Sequence, residues 1–222
     1  MSVNIEKYQS INEGLSKRNV TLVAVSKTKP IEDIQALYDL GQRDFGENYV
    51  QELVDKQKVF PDDIRWHFIG HLQRNKVKYI APFIYLIHGV DSCKLLKEIN
   101  KQAEKCGRVI NCLLQVHIAQ EETKFGMDEK DLAEVKTIIP ELKNVSIHGL
   151  MGMASFSDDT KKVRGEFRYL KSLLNKFGRL TIDNGPWTVL SIGMSGDYQI
   201  AIEEGSTMVR IGSLLFGARM DN

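Results

Sequence analysis

The sequence predicts an α/β protein with the architecture of a (β/α)8 barrel of the TIM type, preceded by one extra N-terminal helix. Short apolar segments alternate with amphipathic segments eight times along the chain. Because the apolar segments are hydrophobic on both faces, they indicate a parallel sheet covered by helices. The 222 residues are slightly fewer than the roughly 250 typical of such barrels. An open, doubly wound sheet is the second possibility.

The first elements are a helix, a strand and a second helix. The extra helix is expected over residues 3–17 and the first strand over residues 21–27. The second helix begins at Pro30, because a proline in the first turn loses no hydrogen bond, and it ends at Gly41, a favourable residue beyond a helix C-terminus. Residues at helical spacing are expected to face the core, namely Ile31, Ile34, Leu37 and Tyr38.

The same alternation continues along the rest of the chain. Further strands are predicted at residues 44–47, 65–70, 85–90, 109–117, 145–153, 188–194 and 207–212. Helices are expected between them at residues 49–58, 73–80, 93–106, 129–138, 163–177 and 197–204. Nothing in the composition marks a domain boundary, so a single domain spanning residues 1–222 is expected.

The composition predicts a soluble, cytoplasmic protein. The formal net charge is +1, which gives no electrostatic reason to expect nucleic acid or an anionic membrane as a partner. The chain contains no apolar run of 18 residues and no signal-peptide pattern at its N-terminus, so no membrane segment is expected. The three cysteines are expected to be buried or half-buried free thiols: Cys93, Cys106 and Cys112.

Lys27 is the most informative residue of the sequence. It is predicted to end the buried first strand, and the carboxyl ends of strands are where barrels place their chemistry. A partly desolvated lysine at that position has a lowered pKa and can form a Schiff base with an aldehyde. The other interpretation is that Lys27 only extends its amine from the strand end into solvent.

Two turns that contain glycine and serine predict a phosphate site. Barrels of this type often bind phosphate in the loops after the seventh and eighth strands. The first of these loops contains Ser195, and the second contains Gly212 and Ser213. Glycine lets backbone N–H groups approach an anion, and serine adds a hydroxyl donor. Neither turn matches the dinucleotide-binding or P-loop patterns.

Arg210 lies within the eighth predicted strand, where a charged side chain needs a partner. One candidate partner is a carboxylate inside the barrel, such as Glu47. The other is a ligand in the mouth of the barrel, and the residues alone leave both open.

The five histidines do not predict a metal site. His67 and His71 are four residues apart, but the segment around them is predicted to be a strand, and the HExxH pattern is absent. His88, His117 and His148 lie singly in predicted strands and are expected to be hydrogen-bonded core residues.

Several ordered motifs resemble one protein family. They are AVSKTKP at 24–30, FGENYVQE at 45–52, WHFIG at 66–70 with Leu72-Gln73 and Asn75-Lys76, SIGMS at 191–195, GSTMVRIG at 205–212 and FGAR at 216–219. Spanning about residues 20–219, they resemble the pyridoxal phosphate homeostasis proteins, single-domain relatives of the alanine racemase barrel. The resemblance implies an alanine racemase-like (β/α)8 barrel that carries pyridoxal 5′-phosphate (PLP).

The resemblance also implies roles for individual residues. Lys27, the first lysine of AVSKTKP, would hold PLP as a Schiff base. Lys29 is the alternative, but it is expected to face solvent. The other implied contacts are a phosphate held by Ser195, Gly212 and Ser213, a pyridine nitrogen that faces Arg210, and a ring or 3-hydroxyl near Asn48.

The function implied by the resemblance is the binding, buffering or delivery of PLP, without a dedicated catalytic activity. The expected partners are PLP and PLP-dependent apoenzymes, and the expected assembly is a monomer or a weak dimer. An arginine at the ring nitrogen disfavours its protonation, which weakens the electron sink that most PLP enzymes use.

Two alternative functions stay open. The first is an amino-acid racemase or another PLP enzyme of this fold. A racemase needs a second acid/base group, which alanine racemase takes from an additional domain, and none is expected here because the sequence ends nine residues after Ser213. The second is a PLP-free isomerase or aldolase that uses Lys27 on a sugar phosphate.

Overall fold

The computed structural model describes residues 3–119, 125–178 and 185–217 and contains a closed eight-stranded barrel. All neighbouring strands pair in parallel and in chain order, and the first strand also pairs with the last. The predicted barrel is confirmed, and the open, doubly wound alternative is wrong. The strands are β1 (Thr21–Val25), β2 (Asp44–Glu47), β3 (Arg65–Phe68), β4 (Leu86–Val90), β5 (Ile110–Gln115), β6 (Val145–Met151), β7 (Val189–Ser191) and β8 (Met208–Ile211).

Helices connect the strands and form the outer layer. Within the described ranges they are α1 (Ile5–Ser16), α2 (Ile31–Asp39), α3 (Val50–Gln57), α4 (Val77–Ile80), α5 (Cys93–Lys105), α6 (Glu129–Ile138), α7 (Thr160–Phe177), α8 (Tyr198–Glu203) and α9 (Ser213–Phe216). Helix α1 is the predicted extra helix, and Asn4 caps it by accepting a hydrogen bond from the backbone of Lys7 at 2.9 Å.

Most elements lie where the sequence predicts them, but some boundaries differ. The helix expected at residues 73–80 is a 3₁₀ turn, Arg74–Lys76, followed by the single turn of α4. Helix α9 was not predicted. On α2, Ile34 and Leu37 are buried as expected, but Ile31 is 44% exposed because it is the first residue of the helix, at the edge of the packed layer.

Within the described part of the chain, the barrel has two apolar clusters. The outer core lies between the strands and the helices, and a smaller cluster is formed by strand residues that face the barrel interior. That second cluster consists of Val23, Leu86, Leu113, Met151 and Met208, with two half-buried neighbours. On β8, Met208 belongs to this cluster, whereas Val209 and Ile211 belong to the outer core. Because side chains alternate along a strand, Arg210 shares the inward face with Met208.

The three cysteines are separate free thiols. Cys112 is buried in β5, and burial raises the pKa of its thiol. Cys93 is half-buried. Cys106 is exposed, so the expectation of burial is wrong there; it follows the last residue of α5, where the chain turns at the surface.

The described residues lack two further features. None of their helices has the length and apolar character needed to cross a membrane. No group of three or more histidine, cysteine, aspartate or glutamate side chains among them could hold a metal ion.

Candidate cofactor-binding site

A cavity of about 670 Å³ opens at the carboxyl ends of the strands. Its size is within the range of small-molecule sites. The turns after β1, β2, β7 and β8 and the loop after β6 form its walls. All six residues predicted as cofactor contacts line it: Lys27, Asn48, Ser195, Arg210, Gly212 and Ser213.

Lys27 is half-buried and lies in a turn rather than at the last position of the strand. Strand β1 ends at Val25, and the backbone N–H of Lys29 closes the turn by donating to the carbonyl of Ser26 at 3.0 Å. Thr28 has a φ of 61°, in the left-handed region that a β-branched residue rarely adopts. The strain is local, and the turn brings Lys27 to the wall of the cavity.

Lys29 also lines the cavity, but backbone carbonyls hold its amine. Its Nζ donates to the carbonyl of Phe216 at 2.8 Å and to that of Gly217 at 3.4 Å. The side chain is half-buried, so the expectation that Lys29 faces solvent is wrong. These contacts tie the turn after β1 to the end of α9.

A buried ionic cluster lies behind the Lys27 turn; it consists of Ser26, Glu47, Glu52 and Lys56 and is called the Glu47 cluster below. Lys56 Nζ donates to Glu47 Oε1 at 2.7 Å, to Glu52 Oε1 at 2.6 Å and to the carbonyl of Ser26 at 2.8 Å. Ser26 Oγ donates to Glu47 Oε1 at 2.6 Å. The carboxylate of Glu52 also accepts the backbone N–H of Thr28 at 2.6 Å, which holds the strained turn.

Glu47 is fully buried, and its carboxylate is paired with Lys56 rather than with Arg210. The ion pair between Arg210 and Glu47 that the sequence left open is therefore wrong. Burial raises the pKa of Glu47 above its ordinary value, and the positive charge of Lys56 opposes that shift. Glu47 Oε2 has no hydrogen-bond partner among the described residues.

The turns after β7 and β8 meet at another part of the cavity wall, and β8 is a neighbour of β1 in the barrel. Gly193 has a φ of 96°, and a Cβ atom there would lie 2.7 Å from the Cβ of Ala201, so the turn needs glycine. The backbone N–H of Gly212 donates to Ser195 Oγ at 3.3 Å. This contact joins the two predicted phosphate-binding turns, so their serine and glycine residues form one surface.

Arg210 is 4% exposed and is held by three acceptors inside the barrel. Its Nη1 donates to the carbonyl of Ser191 at 2.8 Å and to Ser191 Oγ at 2.6 Å, and its Nη2 donates to the carbonyl of Gly152 at 3.0 Å. Burial lowers the pKa of Arg210 to about 10, and the nearby carboxylate of Asp197 opposes the shift. The guanidinium therefore carries its positive charge at neutral pH.

Asn48 supplies an unsatisfied polar atom at the cavity wall. Its Oδ1 is buried and has no hydrogen-bond partner in the described part of the chain. A Cβ atom at Gly70 would lie 2.4 Å from the carbonyl oxygen of Asn48, so glycine two residues after β3 lets the two backbones pack together. A buried amide oxygen without a donor is uncommon in proteins, and a ligand donor would satisfy it.

The sequence did not identify the residues that support this site. Ser191 holds Arg210, and Lys56 with Glu52 braces the Lys27 turn. Their spacing of four residues on α3 resembles an ordinary surface ion pair, so it carried no signal of burial. Arg219, the last residue of the FGAR motif, lies outside the described residues.

A parallel barrel whose carboxyl end brings a lysine, a buried arginine and a glycine- and serine-containing surface around one cavity belongs to the class of alanine racemase-like barrels. The family described as "Alanine racemase, N-terminal domain" matches residues 4–220. The alanine racemase of Clostridium difficile 630 superimposes with a TM-score of 0.75 at 13% identity, over 99% of this chain and 59% of that chain, which shows the common fold.

Closer relatives define the family more narrowly. The "Pyridoxal phosphate homeostasis protein" of Aquifex aeolicus is 41% identical over 218 residues, which are 97% of this chain and 95% of that protein. The protein of the same name from Escherichia coli K12 is 39% identical over 210 residues, 93% of this chain and 88% of that one. The chain therefore belongs to the family of pyridoxal phosphate homeostasis proteins.

A solved structure of similar length agrees with this assignment. PipY of Synechococcus elongatus PCC7942, whose structure is described "with PLP bound", superimposes with a TM-score of 0.87 at 34% identity. The superposition covers 96% of this chain and 99% of PipY.

Proposed function

We propose that this chain binds PLP and takes part in intracellular PLP homeostasis, by binding, buffering or delivering the cofactor. The observation that carries the proposal is the cavity that Lys27, Arg210 and the joined turns of Ser195 and Gly212 line together. The names of the relatives and the PLP-bound structure of PipY support it.

The lining residues fit the chemistry of PLP. Bound PLP supplies an aldehyde that condenses with an amine, and a ring that withdraws electrons. Lys27 would hold it as a Schiff base, and Ser195, Gly212 and Ser213 would bind its phosphate. Asn48 Oδ1, which has no hydrogen-bond partner among the described residues, would accept a hydrogen bond from the PLP ring or its 3-hydroxyl. This buried, unsatisfied oxygen is the observation that best supports a polar ligand at that wall.

Arg210 would face the pyridine nitrogen. Because the guanidinium is positive at neutral pH, it would disfavour a proton on that nitrogen. A neutral ring is a weaker electron sink, which suits a protein that stores or passes on the cofactor better than one that transforms amino acids.

The finer expectations belong to the same proposal. We expect delivery of PLP to PLP-dependent apoenzymes, a single domain over residues 1–222, a monomer or weak dimer, and a cytoplasmic location. Transfer of PLP from the loaded protein to an apoenzyme, measured by recovered apoenzyme activity, tests the delivery step.

The covalent assignment is tested by reduction and mapping. The purified protein, incubated with PLP, should show a visible absorption band that borohydride removes, and peptide mapping should find the reduced adduct on Lys27. Lys27→Ala should lose the adduct, whereas the matched variant Lys29→Ala should keep it. An adduct on Lys29 with Lys27 unmodified would contradict the assignment, and the absence of any bound PLP would favour a PLP-free barrel enzyme.

A further inference from the structure

A chain of buried hydrogen bonds runs from Arg210 through the interior of the barrel to Asp44. We call Asp44, His67, His88, Ser191 and Arg210 the histidine relay. Arg210 Nη1 lies 2.6 Å from Ser191 Oγ, and Ser191 Oγ lies 3.1 Å from His88 Nδ1. His88 Nε2 lies 2.9 Å from His67 Nδ1, and His67 Nε2 lies 2.9 Å from Asp44 Oδ1.

The relay crosses the barrel interior instead of following one sheet edge. It uses one residue from each of β2, β3, β4, β7 and β8. Strands β4 and β7 are not neighbours in the closed order, so the bond from Ser191 to His88 spans the interior. His67, His88 and Ser191 are fully buried, so bulk water does not compete for these bonds.

The polarity of the relay follows from its ends. An arginine can only donate, so Ser191 Oγ accepts from Arg210 and directs its own O–H at His88 Nδ1. His88 Nδ1 is then an acceptor, which places the proton of His88 on Nε2, where it donates to His67 Nδ1. By the same step His67 carries its proton on Nε2 and donates it to Asp44. Both imidazoles are neutral, and every hydrogen bond points toward the carboxylate.

The charges around the relay favour this arrangement over a protonated histidine. Asp44 already has a cation, because Arg65 donates to both of its oxygens at 2.8 and 2.5 Å. Burial alone would raise the pKa of Asp44, but the hydrogen bonds from Arg65 and His67 outweigh burial and hold that pKa below its ordinary value. Burial is the main cause that holds the pKa of His88 well below its usual range, and the positive charge of Arg210 acts in the same direction.

Other groups that face the relay do not replace these partners. The ring of Tyr85 lies 5.5 Å from that of His67, centroid to centroid, at the Asp44 end. At the Arg210 end, the carboxylate of Asp197 attracts the guanidinium from the cavity side. A positive His67 would reverse the hydrogen bonds to His88 and leave the Ser191 hydroxyl proton without its acceptor.

We propose that His67, His88 and Ser191 are positioning residues that fix Arg210 as a charged donor at the floor of the cavity and thereby set the protonation of the bound cofactor's ring. The inference rests on the proposed function. Apolar side chains usually fill barrel interiors, as the neighbouring cluster around Leu113 does, and buried polar groups are stable only when each is satisfied. Here the satisfied chain ends on a residue that lines the cavity.

The first test reads the relay directly. Nitrogen-15 NMR of the PLP-loaded protein, with imidazoles labelled and assigned by single substitutions, should find the proton of His67 and the proton of His88 on Nε2. A proton on Nδ1 of either ring, or a charged imidazole, would overturn the proposed polarity. This readout does not depend on any catalytic activity.

The second test reads the effect on the cofactor. His88→Leu breaks the relay, and His148→Leu is the matched control, because His148 is a half-buried strand histidine whose Nε2 pairs with Asn111 Oδ1 at 2.9 Å outside the relay. In both variants we expect the amount of bound PLP per chain to change less than about twofold. Only in His88→Leu should the pH at the midpoint of the titration of the PLP absorption band rise, by about one unit, which is a tenfold change in the proton affinity of the cofactor.

The outcomes separate the two proposals. Wild type without bound PLP would sink the proposed function, whereas a loaded His88→Leu variant with the wild-type midpoint would sink the relay's role. If His88→Leu does not fold, Ser191→Ala removes the same link with a smaller change in volume and should give the same shift. A wild-type midpoint in loaded Ser191→Ala would also refute the inference.

Discussion

Two buried polar networks support different parts of the cavity, and they differ in kind. The Glu47 cluster places the carboxylates of Glu47 and Glu52 around the amine of Lys56, behind the Lys27 turn. The histidine relay is longer and has neutral groups at its centre, with charges only at Asp44 and Arg210. The first network holds backbone, through the carbonyl of Ser26 and the N–H of Thr28. The second holds a side chain.

The difference indicates what each side of the cavity requires. In the proposed function, Lys27 forms and breaks a covalent bond, which needs a turn of fixed shape but a mobile side chain, and ionic contacts to the backbone would provide that. In the same proposal the guanidinium of Arg210 faces a ring, which needs a fixed position and a fixed charge, and a directional relay would provide both. Substitutions that remove a charge should therefore disrupt the Glu47 cluster. Substitutions that break the direction of the hydrogen bonds should disrupt the relay.

The largest predicted effect is the lack of efficient racemase activity. We expect it because neither network supplies a second proton donor to the cavity. The described residues that line the cavity include no tyrosine, histidine or cysteine; their carboxylates are Asp158, in an exposed loop, and Asp197, which accepts the N–H of Met194 at 2.6 Å. A missing acid/base group lowers a rate by about 10²–10⁴-fold. We expect no efficient interconversion of L- and D-alanine at saturating PLP.

The racemase alternative has a clear signature in this assay. A kcat in the range of roughly 1–10³ s⁻¹ that disappears in Lys27→Ala would establish it and refute the carrier proposal.

Removing the amine of Lys56 from the Glu47 cluster should lower the free energy of unfolding. In Lys56→Met, Glu47 becomes a buried carboxylate without its cation, and breaking such a pair costs about 3–5 kcal/mol. Urea unfolding measures the loss. The matched control is Lys58→Met, because Lys58 pairs with Asp55 at 3.1 Å with both side chains more than half exposed, and such pairs contribute at most about 1 kcal/mol.

A double variant separates charge from packing. Glu47→Gln combined with Lys56→Met removes both charges and should recover at least half of the lost stability. If the double variant is as unstable as Lys56→Met alone, the loss comes from packing, and the Glu47 cluster is not primarily ionic.

The relay should appear in the pH dependence of stability. His88 has a depressed pKa in the folded protein, whereas in the unfolded chain it takes up a proton near pH 6.5. The unfolded state therefore binds more protons as pH falls below 6.5, and the free energy of unfolding decreases. Between pH 7.5 and 5.5, this one histidine should lower the stability by about 1.4 kcal/mol, a loss that His88→Leu should not show.

The comparison of the two proteins isolates His88 from other groups. Glu47, whose pKa is raised, works in the opposite direction, since its contribution to stability is lost as pH rises through its folded-state pKa. It is present in both proteins and cancels in the difference. Equal pH slopes for wild type and His88→Leu would mean that the pKa of His88 is not lowered in the folded protein.

The sequence predicted the barrel and the cavity walls better than it predicted their support. Segment Asp44–Glu47 was predicted with its observed bounds. The relay was not predicted, although the expectation that His88 is a hydrogen-bonded core residue is confirmed. Its contact with Ser191 joins residues 103 positions apart, and that contact depends on the register of a closed barrel, which local patterns do not encode.

The smallest predicted effect concerns backbone strain in the turn that the Glu47 cluster holds. Among the described residues other than glycine, only Asn19 and Thr28 have positive φ, at 54° and 61°, and Thr28 is held by the Glu47 cluster. Left-handed backbone costs most residues about 1–2 kcal/mol, and asparagine tolerates it better than threonine does. Thr28→Asn should therefore raise the free energy of unfolding by about 0.5–1 kcal/mol, and Asn19→Thr should lower it by a similar amount. Because Glu52 accepts a backbone N–H, which the substitution keeps, the yield of the reduced PLP adduct on Lys27 should not change in Thr28→Asn. A stability loss in Thr28→Asn would show that the threonine side chain stabilises the turn, and a lower adduct yield would show that it also directs Lys27.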